Sequence, residues 1–241
     1  GAGRAPYDLR VAAAYSLARS RPAAAARALA ALLAEAPGTA AGWFVWAQLA
    51  AGSRRLALAR DLYRAAAAAA KAELTAAEAA GAPVAGTLQH LSARLAKVLR
   101  SWAHMEWDAA LCGAARRLWR TAANEAFRLP RRLAVDAGSV VLHAWAAAEF
   151  ERDNLRNARI VIGEALRKCS GDSAVNVLAG SIVARAGDAE GARALFLRAY
   201  QLDRRARKEK QLYTAWPRLE AEAGNLERAR VLYQRGLAMF P

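Results

Sequence analysis

A chain of 241 residues, 56% of them apolar, is long enough to bury a core, and its formal net charge of +15 gives a surface that attracts polyanions, nucleic acid first. No apolar run approaches the ~20 residues of a membrane span, because the alanine run Ala65–Ala70 is short and weakly hydrophobic. Two cysteines, Cys112 and Cys169, are too few for a disulfide framework and read as buried, reduced thiols.

Much of the apolar share is alanine, which favours helices and lets them approach closely. Proline is scarce, and no strand-like alternation appears, so the chain reads as all-α. The head, from Gly1, lacks Met and is not a signal peptide, which leaves two expectations: a targeting peptide removed, or a piece of a longer protein.

In chain order, residues 7–37 form a first, degenerate unit. A helix is expected over Asp8–Arg19, and Pro22 starts a second that runs to Glu35. Pro37-Gly38 ends it. The second unit, 39–80, has a helix over Trp43–Ala51 and another that continues through the alanine run to about Ala80. After a break at Gly81–Pro83, Thr87 is placed to cap a long helix carrying Leu88, Leu91, Leu95, Trp102 and Met105 in the third unit, 87–124. Phe127–Gly138 reads as an irregular basic connection. The fourth unit spans 139–168, turning at Asp153-Asn154. The fifth spans 173–201, capped by Asp172 and turning at Gly187-Asp188. The run Asp203–Lys210 separates it from the sixth, 211–241, where Gly224-Asn225 turns and Asn225 is placed to cap the last helix. All six are read as one helical-repeat domain.

The units align on an Ala-Arg pair: Ala26-Arg27, Ala59-Arg60, Ala115-Arg116, Ala158-Arg159, Ala192-Arg193 and Ala229-Arg230. Fourteen residues before the arginine stand Trp46, Trp102, Trp145 and Trp216, with Ala179 in the fifth unit; four after the tryptophan come Glu106, Glu149 and Glu220. Three after the arginine is a large residue (Tyr63, Trp119, Ile162, Phe196, Tyr233). A period of about 34 residues means a solenoid of two-helix repeats. The tryptophans read as a packing ridge. Each glutamate reads as the partner of the Ala-Arg arginine ten residues on, in an ion pair between the two helices of one unit.

This pattern resembles the half-a-TPR (HAT) repeat, a relative of the tetratricopeptide repeat (TPR), over roughly residues 39–66 and 97–241. The resemblance implies a right-handed α-α superhelix and a role in RNA metabolism, in nuclear RNA processing or in binding chloroplast messenger RNA. It also implies that the first helix of each unit lines a concave surface. On that basis the inward side chains are Phe44, Gln48, Lys97, Arg100, His104, Trp107, His143, Phe150, Ser181, Arg185, Gln211, Thr214 and Arg218. Cations for phosphates, rings for stacking and amides for base edges are what single-stranded RNA requires. The readings left open are such an RNA groove, ordinary packing with solvated cations, and a groove for a protein peptide. Two basic clusters, Arg128/Arg131/Arg132 and Arg204/Arg205/Arg207/Lys208/Lys210, are candidates for phosphate contacts that add affinity without reading sequence.

Chemistry is not indicated. His90, His104 and His143 share no metal-ligand spacing, and no phosphate-binding or nucleophile motif occurs, so no enzyme, cofactor or metal is expected. The expected function is non-catalytic binding of single-stranded RNA in processing or stabilisation, in a chloroplast first, a mitochondrion second, with the nucleus as alternative. The rivals are a structural subunit of a ribosome-associated complex that touches ribosomal RNA, and a protein–protein scaffold.

Overall fold

The structure, a computed structural model, describes residues 6–18, 20–80, 85–128, 131–203 and 209–240, without the side chains at 8, 85, 131–136 and 203. Among these residues every regular element is an α-helix. The chain divides into two compact units, Gly1–Ala137 and Gly138–Pro241.

In the first unit the helices pair as hairpins: α1 (Tyr7–Leu17) with α2 (Pro22–Glu35), α3 (Ala40–Gly52) with α4 (Leu56–Ala79), and α5 (Ala85–Asp108) with α6 (Cys112–Phe127). Each hairpin stacks on the next through α2–α3 and α4–α5, and the leading helices also touch, α1 with α3 and α3 with α5. The second unit takes most of α7 (Arg131–Glu151), then α8 (Leu155–Lys168), α9 (Ser173–Arg185), α10 (Ala189–Asp203), α11 (Leu212–Glu222) and α12 (Leu226–Met239). There α9 pairs with α10 and α11 with α12, and the leading helices α9 and α11 are again in contact.

Small residues set these approaches. Ala59, Ala115, Ala158, Ala192 and Ala229 are all buried where helices cross. In α2 the fully buried alanine is Ala25, while Ala26 is only half-buried, so the Ala26-Arg27 match is one residue out of register. Pro22 does open α2, and the alanine run does extend α4 to Ala79.

Five of the hairpin turns share one backbone solution. Arg54, Ala110, Asp153, Gly187 and Gly224 all adopt positive φ, between 56° and 89°. The N–H of the following residue then reaches back to a helix carbonyl: Arg55 to Ala50 at 2.9 Å, Leu111 to Glu106 at 2.8 Å, Asn154 to Glu149 at 2.9 Å and Asn225 to Glu220 at 2.8 Å. This left-handed helix stop occupies otherwise unpaired carbonyls. Three of the five positions carry a Cβ, and only two are glycine.

Several boundaries differ from the sequence reading. Thr87 lies inside α5, which already starts at Ala85. The stretch expected to be irregular is helical from Arg131, since arginine, leucine and alanine there are good helix formers. Asp172 does cap α9, accepting from the Val175 N–H at 3.2 Å. Asn225 does not cap α12 with its side chain, because its amide donates to Glu220 at 2.8 Å.

That glutamate marks the main correction. Arg60 binds Glu106 through Nε and Nη2 at 2.8 and 3.0 Å, and Arg193 binds Glu220 through Nε at 3.1 Å. The ion pair therefore joins the second helix of one hairpin to the first helix of the next, where the sequence reading had joined Glu106 to Arg116 and Glu220 to Arg230. The reason is the stripe that glutamate shares with the tryptophan four residues before it. This stripe faces the preceding hairpin, where Tyr63 stacks on Trp102 (centroids 6.2 Å apart) and Phe196 on Trp216 (6.3 Å). The indole N–H groups donate to the same carboxylates: Trp102 to Glu106 at 3.0 Å, Trp145 to Glu149 at 3.1 Å, Trp216 to Glu220 at 3.0 Å. Burial opposes ionisation of Glu106 and Glu220, but the donors on each outweigh it and hold both carboxyls below the ordinary glutamate range.

Candidate nucleic-acid interface

The leading helices of the first unit enclose two adjoining cavities that share Gln48. One, of about 470 Å³, lies among α1, α3 and α5 and is lined by Tyr15, Phe44, Gln48, Arg94 and Lys97. The other, of about 550 Å³, lies beside it between α3 and α5, with Gln48, Arg54, Ser101, His104 and Asp108 in its wall. Helical spacing explains the alignment: Lys97, Ser101, His104 and Asp108 recur at three and four residues on α5, as Phe44 and Gln48 do on α3.

Four of the sequence-derived candidates thus meet in this groove: Phe44, Gln48, Lys97 and His104. Lys97 is exposed, its Nζ 5.6 Å from the Phe44 ring centroid. Phe44 itself is buried, its ring tilted against Tyr63 with centroids 6.3 Å apart. His104 meets the Trp119 ring edge-on at 5.3 Å. Arg100 is half-buried, and among the described residues no ion pair or hydrogen bond is recorded for it; burial pushes its guanidinium below the ordinary value. Arg94 is held by Glu73 at 2.8 Å.

Trp107 is a correction. It is only 5% exposed, packed on Trp119 at 5.4 Å with the Arg116 guanidinium 5.6 Å from its centroid. Its ring belongs to the core of the α5/α6 hairpin and has no free face on which a base could stack.

The remaining candidates lie in the second unit, on α7, α9 and α11 or, for Gln211, just before α11. Arg185 lies over the Phe150 ring at 5.9 Å and pairs with Asp153 at 3.1 Å. Arg218 is exposed and pairs with Glu222 at 2.8 Å, while Gln211 and Thr214 are exposed, the Thr214 hydroxyl donating to the Gln211 carbonyl at 3.0 Å. Ser181 donates to the Val177 carbonyl at 3.1 Å, so its hydroxyl is taken up within α9. His143 is half-buried, and among the described residues its Nε2 has no hydrogen-bond partner; burial lowers its pKa against the opposing pull of Asp172.

Of the basic clusters, Arg128 is exposed and paired with Glu78 at 2.5 Å, and Lys210 is exposed. The side chains of Arg131 and Arg132, and all of Arg204, Arg205, Arg207 and Lys208, lie outside the described residues. Sequence reasoning missed Tyr15, Arg54 and Arg94. Tyr15 comes from the degenerate first hairpin and Arg54 from a turn, where helix-face counting gives no signal. Among the described residues no three His, Cys, Asp or Glu side chains gather as a metal site, and no helix is long and apolar enough to cross a membrane.

The fold is shared with solved structures. Pseudomonas aeruginosa PilF superposes with a TM-score of 0.60 over 98% of this chain and 92% of its own, at 14% identity. BtubC (BKLC) of P. vanneervenii does so with a TM-score of 0.55 over 96% and 87%, at 16% identity. The chain has a tetratricopeptide-like helical-repeat fold. No protein-family model matches it. One curated relative is similar in sequence: the chloroplastic PsbD mRNA maturation factor Nac2 of Chlamydomonas reinhardtii, 46% identical over 88 residues. That match spans 36% of this helical-repeat chain and 6% of the length of Nac2.

Proposed function

We propose that this helical-repeat protein binds single-stranded RNA without catalysing a reaction and serves messenger RNA maturation in an organelle, the chloroplast first. The observation that carries the proposal is the 46% identity over 88 residues to a chloroplastic mRNA maturation factor. The net charge of +15 supports it, as does a first-unit groove that offers Lys97 and Arg54 to phosphates and Gln48 and His104 to base edges. Nothing in the comparisons favours the nucleus. The role follows from the fold's chemistry: a helical groove can hold a segment, shield it from nucleases and present it to other factors.

The test is selection from a randomised single-stranded RNA pool, followed by titration at several salt concentrations. Wild type is compared with an Arg54→Ala/Lys97→Ala variant and with Gln48→Ala. The expected result is one enriched sequence, lost on Gln48→Ala, with a salt slope that falls by ~0.7 per phosphate contact removed. RNA binding that the double variant leaves unchanged refutes the groove. Equal binding of every RNA favours a structural ribonucleoprotein subunit, and no binding favours a protein scaffold.

A further inference from the structure

The cavity of about 550 Å³ between α3 and α5 carries a group that phosphate binding does not use. Among the described residues that line the two adjoining cavities, Asp108 is the only carboxylate. It is exposed, and its side chain makes no ion pair or hydrogen bond with another described residue. Arg54, in the same wall, is also exposed and makes no ion pair among the described residues, so the two opposite charges do not neutralise each other. A carboxylate repels the RNA backbone, so in an RNA groove it weakens binding unless it accepts hydrogen bonds from the ligand.

The chain holds both charges at the ends of neighbouring helices. Arg54 stands in the α3–α4 turn at φ 56°, where the N–H of Arg55 donates to the Ala50 carbonyl at 2.9 Å. Asp108 is the last residue of α5, and the N–H of Ala109 after it donates to the Met105 carbonyl at 3.0 Å. Ser101, His104 and Asp108 recur at three and four residues and share one face of α5, while Gln48 reaches the same cavity from α3. Leu56, Tyr63 and Met105 supply apolar lining. Apolar walls around a few convergent polar groups, in a space of this size, are the make-up of a small-ligand pocket.

We infer, resting on the proposed RNA groove, that this cavity holds a guanine base of the bound strand and that Asp108 accepts from its Watson–Crick edge. Guanine presents N1–H and the N2 amino group side by side, two donors that match the two oxygens of one carboxylate. Adenine and cytosine each place a ring-nitrogen acceptor beside their one amino group, and uracil flanks its one N–H with two carbonyls. Each of those bases therefore sets a lone pair against Asp108. Arg54 and Gln48 supply donors for the O6 and N7 acceptors of guanine.

The test uses the whole chain and a fluorescently labelled uridine oligonucleotide of ~12 nucleotides, within the span of a single-strand site. Its central residue is varied among guanosine, inosine, adenosine, cytidine and uridine. Binding is read by anisotropy for wild type, Asp108→Asn and Lys97→Ala, with urea unfolding midpoints to verify that each variant is folded. The guanosine oligonucleotide should bind about tenfold tighter than the adenosine or uridine one, the discrimination of a bidentate contact. Inosine, which lacks the N2 amino group, should fall between. Asp108→Asn should erase the guanosine preference yet bind the all-uridine oligonucleotide at least as tightly as wild type does, because a charge that repels phosphate is gone. Lys97→Ala should weaken all five alike and keep the preference. Binding that depends on Lys97 but shows no guanosine preference overturns the guanine site and leaves the RNA groove standing. So does a preference that survives Asp108→Asn, or an Asp108→Asn variant that weakens every oligonucleotide equally. No binding of any oligonucleotide overturns both.

Discussion

Replacing Glu220 by alanine tests the logic of the repeat. Its carboxylate is fully buried and accepts from Trp216 at 3.0 Å, Asn225 at 2.8 Å and Arg193 at 3.1 Å, with Arg228 at 3.5 Å. Removing it strands an indole N–H and an amide and leaves cations facing a cavity. A buried donor deprived of its acceptor costs ~1–3 kcal/mol, and breaking a buried pair from one side ~3–5 kcal/mol. Because the arginines reach water, the lower end applies, about 3 kcal/mol. With a urea slope of ~2 kcal/mol/M the midpoint of the second unit falls by ~1.5 M. Glu220→Gln, which keeps the shape and one acceptor oxygen, should lose roughly half of that. Glu222→Ala, which breaks only the exposed pair with Arg218, should leave the midpoint in place. The sign of the pH dependence follows from the lowered carboxyl of Glu220. Its stabilisation is complete above the unfolded glutamate range of about 4.3 and is lost as pH falls through the lower folded value. A midpoint shift below ~0.25 M for Glu220→Ala, about 0.5 kcal/mol, would refute the clamp.

Other outcomes follow from single observations. Ala110→Gly should stabilise the first unit by ~0.5–1 kcal/mol in urea unfolding, because Ala110 sits at φ 63° where a Cβ is strained. Gly180→Ala should destabilise by ~1–3 kcal/mol, since the added Cβ would lie 2.6 Å from the Phe196 ring. His143 is held neutral by burial, so its contribution is present above the unfolded pKa of about 6.5 and is lost as pH falls toward its lowered folded value. His143→Gln should flatten the stability profile in that window. Trp107→Ala should cost ~3–5 kcal/mol of stability, whereas Lys97→Ala should leave the unfolding midpoint in place and reduce only the salt slope of RNA binding.

The readable part of the fold was whatever recurs along the chain. Tryptophan, glutamate, Ala-Arg and the aromatic at constant offsets marked the hairpins, and Pro22 and Asp172 marked helix starts. The site was legible only where residues shared a helix face, as Lys97 and His104 do, or Phe44 and Gln48. Arg54 and Tyr15 join them from other elements, so no spacing could announce them. Trp107 shows the converse: inward register was assigned by counting, but a large ring beside Trp119 gains more from burial than from solvent.

The sequence alone therefore determined the helical period, the hairpin boundaries to within a few residues except at the start of α7, and which side chains are small, aromatic or charged at each interface. Tertiary structure decided partners. Helical periodicity says that Trp102 and Glu106 face one way, but not which neighbour lies there. Stacking of one hairpin on the next gave Glu106 to Arg60 and Glu220 to Arg193, because the stripe that buries the tryptophan carries the glutamate with it.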